Sequence, residues 1–200
     1  MNDDRRPGGS LGRGPDPRVL RSREAALAAA RELLIEQGWS GVTHVAVAAR
    51  SGIGRTTLYR HWPEVTGLLY DAIAERMDQV RPTPTGDLRT DLGNELNGLR
   101  TLLHEPVGEL GMRAVIDRAP FDPAFGRLKQ ALYAAGSAGF RTILDTARTR
   151  GDLDPEADIA VVIDQLAGPL IFRKLLAGRD IDPAYVDTIV DGVCTLYAIR

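Results

Sequence analysis

Apolar residues recur along this chain at intervals of three and four, and no run alternates singly for long enough to make a strand. The period predicts helices throughout, and so an all-α fold of about nine helices. Ala26, Leu27, Ala30, Leu33 and Leu34 form the first stripe, on a helix from Asp16-Pro17 to about Gln37. Aspartate caps such a start, proline fits its first turn, and Gly38 stops it. Leu68, Leu69, Ala72, Ile73 and Met77 stripe a helix from Pro63-Glu64 to about Val80. The proline-rich stretch from Arg81 to Gly86 then breaks the pattern. Beyond it the helices predicted are Asp87–His104, Pro106–Arg118, Asp122-Pro123 toward Arg150, Asp154-Pro155 toward Ala177, and Asp182-Pro183 toward the C-terminus. The three Asp-Pro starts repeat the cap logic of Asp16-Pro17.

Between the first stripe and the second lies a different pattern, THVAVAARSGIGRTTLYRHW, from Thr43 to Trp62. It reads as two short helices and a tight turn. Thr43 caps the first, Val47 and Ala48 let it sit close to its neighbours, and Ser51-Gly52 ends it. Ile53 anchors the turn, and Gly54 opens the second helix, which Trp62-Pro63 ends. Leu58 points that helix at a core. Its other face carries Arg55, Thr56, Thr57, Tyr59, Arg60 and His61, a set that can donate to phosphate oxygens and base edges. This is the make-up of a helix-turn-helix reader; an ordinary polar surface helix is the plain alternative.

Charge sharpens the picture. The chain is 200 residues long with a net charge of −2. Residues 1–62 hold ten arginines against six carboxylates, whereas residues 63–200 hold fifteen basic against twenty-one acidic side chains. A basic front on an acidic body suits a protein that sets one end against a polyanion. Residues 1–15 cannot pack a core and are read as a disordered basic arm; Arg5, Arg6 and Arg13 either reach DNA or stay solvated. Arg18, Arg21 and Arg23 crowd the first turns of a helix, where positive charge opposes the dipole. Phosphate contact explains them, chiefly at Arg21 and Arg23. Cys194 is the sole cysteine, which excludes a disulfide framework or a zinc spacing. There is no apolar run of about 18 residues for a membrane span, so a cytoplasmic protein is expected. His44, His61 and His104 have no metal-ligand spacing, and neither a nucleophile elbow nor a phosphate loop occurs. No cofactor, metal site or catalysis is expected.

The segment Arg23 to Leu69, through REAALAAARELLIEQGW and VTHVAVAARSGIGRTTLYRHWPEVTGLL, resembles the DNA-binding domain of the tetracycline-repressor (TetR) family. The resemblance implies a helix-turn-helix domain over 16–62, a linking helix over 63–80, and a helical bundle over 81–200 that binds a ligand and dimerises. Arg55 is then the best reader of guanine, with Thr56 and Thr57 on bases. Tyr59 and His61 contact phosphates, Arg60 does either, and Thr43 and His44 hold the start of the first motif helix on the backbone. Members commonly carry lysine near the start of the linking helix; Glu64-Val65-Thr66 departs from that, and a carboxylate facing phosphate would repel it. The resemblance further implies a homodimer on a palindromic operator, with Ile163, Leu170, Tyr185, Ile189, Val193 and Tyr197 at the interface; packing in the chain's own core is the alternative, and takes one side of each helix. It also implies an apolar small-molecule effector, with Met112, Ile116, Phe121, Phe125, Tyr133, Phe140 and Phe172 as its lining; plain core is the alternative role for each. The function expected is a ligand-released repressor; the alternative is an interaction module or small-molecule binder with a degenerate helix-turn-helix.

Overall fold

The structure is a computed structural model and describes residues 17–80 and 82–199. The expected arm, the Asp16 cap and Arg81 lie outside the described residues. Within them the chain forms nine α-helices: α1 (Pro17–Gln37), α2 (His44–Ser51), α3 (Arg55–His61), α4 (Val65–Val80), α5 (Leu88–His104), α6 (Pro106–Arg118), α7 (Pro123–Arg150), α8 (Ile159–Ile171) and α9 (Pro183–Tyr197). A single 3₁₀ turn, Trp39–Gly41, follows α1. Among the described residues, extended pairing is limited to an isolated antiparallel bridge between Leu153 and Ala198.

Local chemistry accounts for most helix ends. Thr43 Oγ1 accepts from Ala46 N at 3.0 Å, Asp122 from Ala124 N at 2.8 Å, and Asp182 from Tyr185 N at 2.7 Å. Gly52 closes α2 at φ 73°, a left-handed conformation that a β-carbon would strain.

The expected start at Asp154-Pro155 is corrected. Asp154 N donates to Tyr197 O and Ile199 N to Asp152 O, so the residues just before Pro155 are tied to the end of the chain. Asp154 caps only a local turn through Glu156 N, and α8 begins four residues later, where Asp158 accepts from Ala160 N and Val161 N. Pro169, which has no N–H, lies inside α8. The helix widens into a π-helical turn over Phe172–Leu176 rather than running regularly to Ala177. Arg113 of α6 holds this turn, donating to Leu175 O at 2.6 Å.

Two apolar clusters fill the molecule. One joins α5, the later part of α7, α8 and α9 around Leu92, Leu96, Leu144, Val162 and Leu166. The other holds Leu27, Leu34, Val47, Leu58 and Ile73 of the first four helices, but it also takes in Val107 and Val115 of α6 and Phe125, Leu128 and Leu132 of α7. Each fully buried leucine contributes about 1.5–3 kcal/mol relative to exposure. At Gly111 the two parts lie so close that an added β-carbon would stand 2.6 Å from Ile73 Cδ1. The reader is therefore bolted to α6 and α7 through packed side chains, not merely strung from a linker.

Candidate nucleic-acid interface

Helix α3 is seven residues long, and only Leu58, 1% exposed, is buried in it. Arg55, Thr56, Tyr59, Arg60 and His61 are exposed and Thr57 is half-buried. Among the described residues neither Arg55 nor Arg60 has a carboxylate partner, so two guanidinium groups stand free on one short helix. Thr43 is exposed at the start of α2; its oxygen caps the helix, which leaves its proton available as a donor.

Two expected DNA contacts are placed differently. His44 is buried, with Nε2 2.6 Å from Trp62 O and its ring stacked on Tyr59 at 4.1 Å between centroids. It braces the motif from inside rather than meeting the backbone. Arg23 donates to Asp71 Oδ2 at 2.8 Å, so its charge is engaged by α4. Arg21 remains exposed and, among the described residues, donates to Pro17 O of its own first turn. Glu64 is turned to the body: Arg127 Nη2 donates to both its oxygens at 2.8 and 2.9 Å.

Sequence reading missed the supports. Trp62 was legible only as a helix stop, yet its indole N–H donates to Asp71 Oδ2 at 2.8 Å, the oxygen that also receives Arg23. Arg50 reaches back to Glu36 at 2.7 Å and fixes α2 on α1. Partners this far apart in sequence carry no local signal.

The body contains a cavity of about 680 Å³. Met112, Ile116, Tyr133, Phe140 and Phe172 line it, together with Met77 and Val80 of α4. Phe121 and Phe125 do not. Phe125 is 1% exposed and sits edge-on to Trp39 at 4.7 Å, while Phe121 projects from the α6–α7 turn, 89% exposed. The first turn of α7 packs on the reader, and the cavity begins further along the helix at Lys129. Its polar groups are few: Glu95, Lys129, Tyr133, Ser137 and Asp164.

Part of the expected dimer face is also corrected. Ile163, Leu170 and Val193 are buried in the protomer's own core, and Tyr185, Ile189 and Tyr197 are half-buried against it. A helix in a bundle presents two faces, and Ile163, Leu170 and Val193 lie on the inner one. The outward apolar groups of α8 and α9 are Val161 and Leu196, 44% and 68% exposed. Cys194 is half-buried against the same core, and burial pushes its thiol up from the usual range.

Comparison with known proteins agrees with this arrangement. Residues 26–77 match the family of bacterial regulatory proteins, tetR family, and residues 82–193 match the tetracyclin repressor-like C-terminal domain. The HTH-type transcriptional regulator Mb1581 of Mycobacterium bovis is 33% identical over 186 residues, covering 90% of each chain. The DNA-binding transcriptional repressor TetR of Mycobacteroides abscessus is 27% identical over 173 residues, covering 84% of this chain and 90% of its own. Among solved structures, the TetR family transcription regulator SCO0332 superposes with a TM-score of 0.72 at 30% identity, covering 88% of this chain and 97% of its own. Among the described residues no helix is long and apolar enough to cross a membrane. With reader, linking helix and body all matched, the chain belongs to the TetR family of DNA-binding transcriptional regulators.

Proposed function

We propose that this chain acts in the cytoplasm, without catalysis, as a homodimeric repressor released by an apolar small molecule. Two copies of α3 enter successive major grooves of a palindromic operator. Arg55 reads guanine, Thr56 and Thr57 meet neighbouring bases, and Arg60, His61 and Tyr59 reach base edges or phosphates. Arg21 and Thr43 add backbone contacts. Promoter occlusion follows.

The observation that carries this reading is the position of α4. Its Met77 and Val80 form part of the cavity wall, and its Asp71 holds Trp62 at the end of the reading helix. A guest that displaces Met77 therefore moves the helix on which the reader is mounted. To release DNA, the guest must favour the displaced arrangement by a few kcal/mol. The apolar lining favours a drug-sized, mostly apolar molecule.

The test is selection of bound sequences from a random duplex pool at about 150 mM salt, where non-specific phosphate binding is suppressed. The expected product is a palindrome with half-sites about one helical turn apart. Failure of a folded protein to enrich any sequence would remove the proposal.

A further inference from the structure

We infer that His44 is a positioning residue of the DNA reader: it sets the orientation of Tyr59 and ties that tyrosine, through Trp62 and Asp71, to helix α4. A carbonyl oxygen only accepts, so the 2.6 Å contact between His44 Nε2 and Trp62 O fixes the tautomer, with Nε2 carrying the proton and donating it. The placement of this bond matters. Ser51 to Gly54 join the end of α2 to the start of α3; His44 joins the start of α2 to the end of α3. The two helices are thereby fastened at both ends.

Tyr59 lies on the histidine ring, 4.1 Å between centroids and 25° between planes, and remains 51% exposed. One face of the phenol is covered and the rest is free to meet DNA. A ring held this way loses little further freedom on binding, which is pre-organisation. Behind His44 the connection continues. Trp62 Nε1 donates to Asp71 Oδ2 at 2.8 Å, and Arg23 of α1 donates to the same oxygen. A shift of α4 therefore reaches the outer face of α3 without any change in the turn. This inference rests on Tyr59 contacting DNA through its hydroxyl; it does not depend on the cavity's having a ligand.

Two substitutions separate the histidine's roles. His44→Phe keeps a ring for Tyr59 and loses the donor; His44→Gln keeps an N–H donor and loses the ring. Each is combined with Tyr59→Phe, which removes only the hydroxyl. Affinity is measured on the selected duplex, with melting temperature recorded for every variant. In the wild type, Tyr59→Phe is expected to weaken binding roughly tenfold, the loss of one hydrogen bond to a charged phosphate. That factor should persist in His44→Phe and shrink to about twofold or less in His44→Gln, since coupled residues are non-additive. If His44→Gln fails to fold, His44→Ala, which also removes the ring, takes its place: the factor lost in the ringless variant supports positioning, and the factor kept there overturns it. The same factor in all backgrounds makes His44 a structural brace only. No effect of Tyr59→Phe in the wild type removes the DNA contact itself, and the inference with it.

Discussion

Arg127 of α7 holds Glu64, at the head of α4, in a two-point grip, with one nitrogen donating to both carboxylate oxygens at 2.8 and 2.9 Å. The carboxylate that would repel phosphate if it faced it is thus neutralised by the body. The side chains are 61% and 56% exposed, so the pair contributes little to stability, about 0–1 kcal/mol. Its effect should show on DNA. Glu64→Lys frees Arg127 and adds a cation near the expected phosphate path. Non-specific affinity should rise, and the slope of log affinity against log salt should steepen by about one per added contact. Titrations of a random duplex across salt concentrations check this; an unchanged slope would put the position away from the backbone.

Arg55 has no partner among the described residues, so truncating it orphans no carboxylate. Arg55→Ala should leave the melting temperature unchanged, weaken operator binding by about 1–3 kcal/mol, and blur selection at one position per half-site. Competition between the operator and single-base variants reads this out. Equal loss on every sequence would count against base reading.

Asp91 at the first turn of α5 is 4% exposed and accepts from Thr85 N at 2.6 Å, Thr85 Oγ1 at 2.7 Å and Gly86 N at 2.9 Å. Burial pushes its carboxyl up, but these bonds outweigh it and hold the group below the usual carboxylate range. A folded value below the unfolded one means stability that is present above the unfolded value, near 3.9, and lost as pH falls through the folded one. Asp91→Asn should cost about 1–3 kcal/mol at neutral pH. Denaturant midpoints of the two proteins should converge as pH drops below about 3.

The packing of α8 and α9 separates folding from assembly. Val193→Ala should destabilise the protomer by about 1 kcal/mol or more without dissociating the proposed dimer. Leu196→Asp, together with Val161→Asp on the outward face, should yield folded monomers in sedimentation experiments. Retention of the dimer by that double variant would move the interface elsewhere.

The cavity makes a prediction that needs no natural effector. The apolar dye N-phenyl-1-naphthylamine should bind with enhanced fluorescence, and Ala167→Trp, which fills the space from α8, should abolish binding while the protein stays folded. Equal dye binding by the filled variant would assign the signal to some other surface.

Much of this was legible in sequence because helix ends are local events. Thr43, Asp122 and Asp182 cap as their neighbours suggest, and the stripe from Ala26 to Leu34 is buried as its spacing requires. At Asp154-Pro155 the partners are non-local: Tyr197 and Ile199 at the far end of the chain bond Asp154 and Asp152, and only a local turn follows before α8. Phe125 misled for a similar reason. A helical period shows that an aromatic is buried, but not which of two cores receives it, and Trp39 decides that. Ile163, Leu170 and Val193 carry the same ambiguity between a bundle's own core and a partner. The pairs Arg23–Asp71 and Glu64–Arg127 lie 48 and 63 residues apart and have no sequence signature at all.

The reader's apolar cluster does not stop at the proline-rich break; it runs on into Val107, Val115, Phe125, Leu128 and Leu132. This bears on how such regulators can be recombined. A chimera cut at the break would graft this head onto a foreign body and leave the head's part of one core facing residues that never evolved to complete it. A working exchange must carry the inner face of α6 and the first turns of α7 along with the head, so the exchangeable unit is discontinuous in sequence although the two halves look separable on paper.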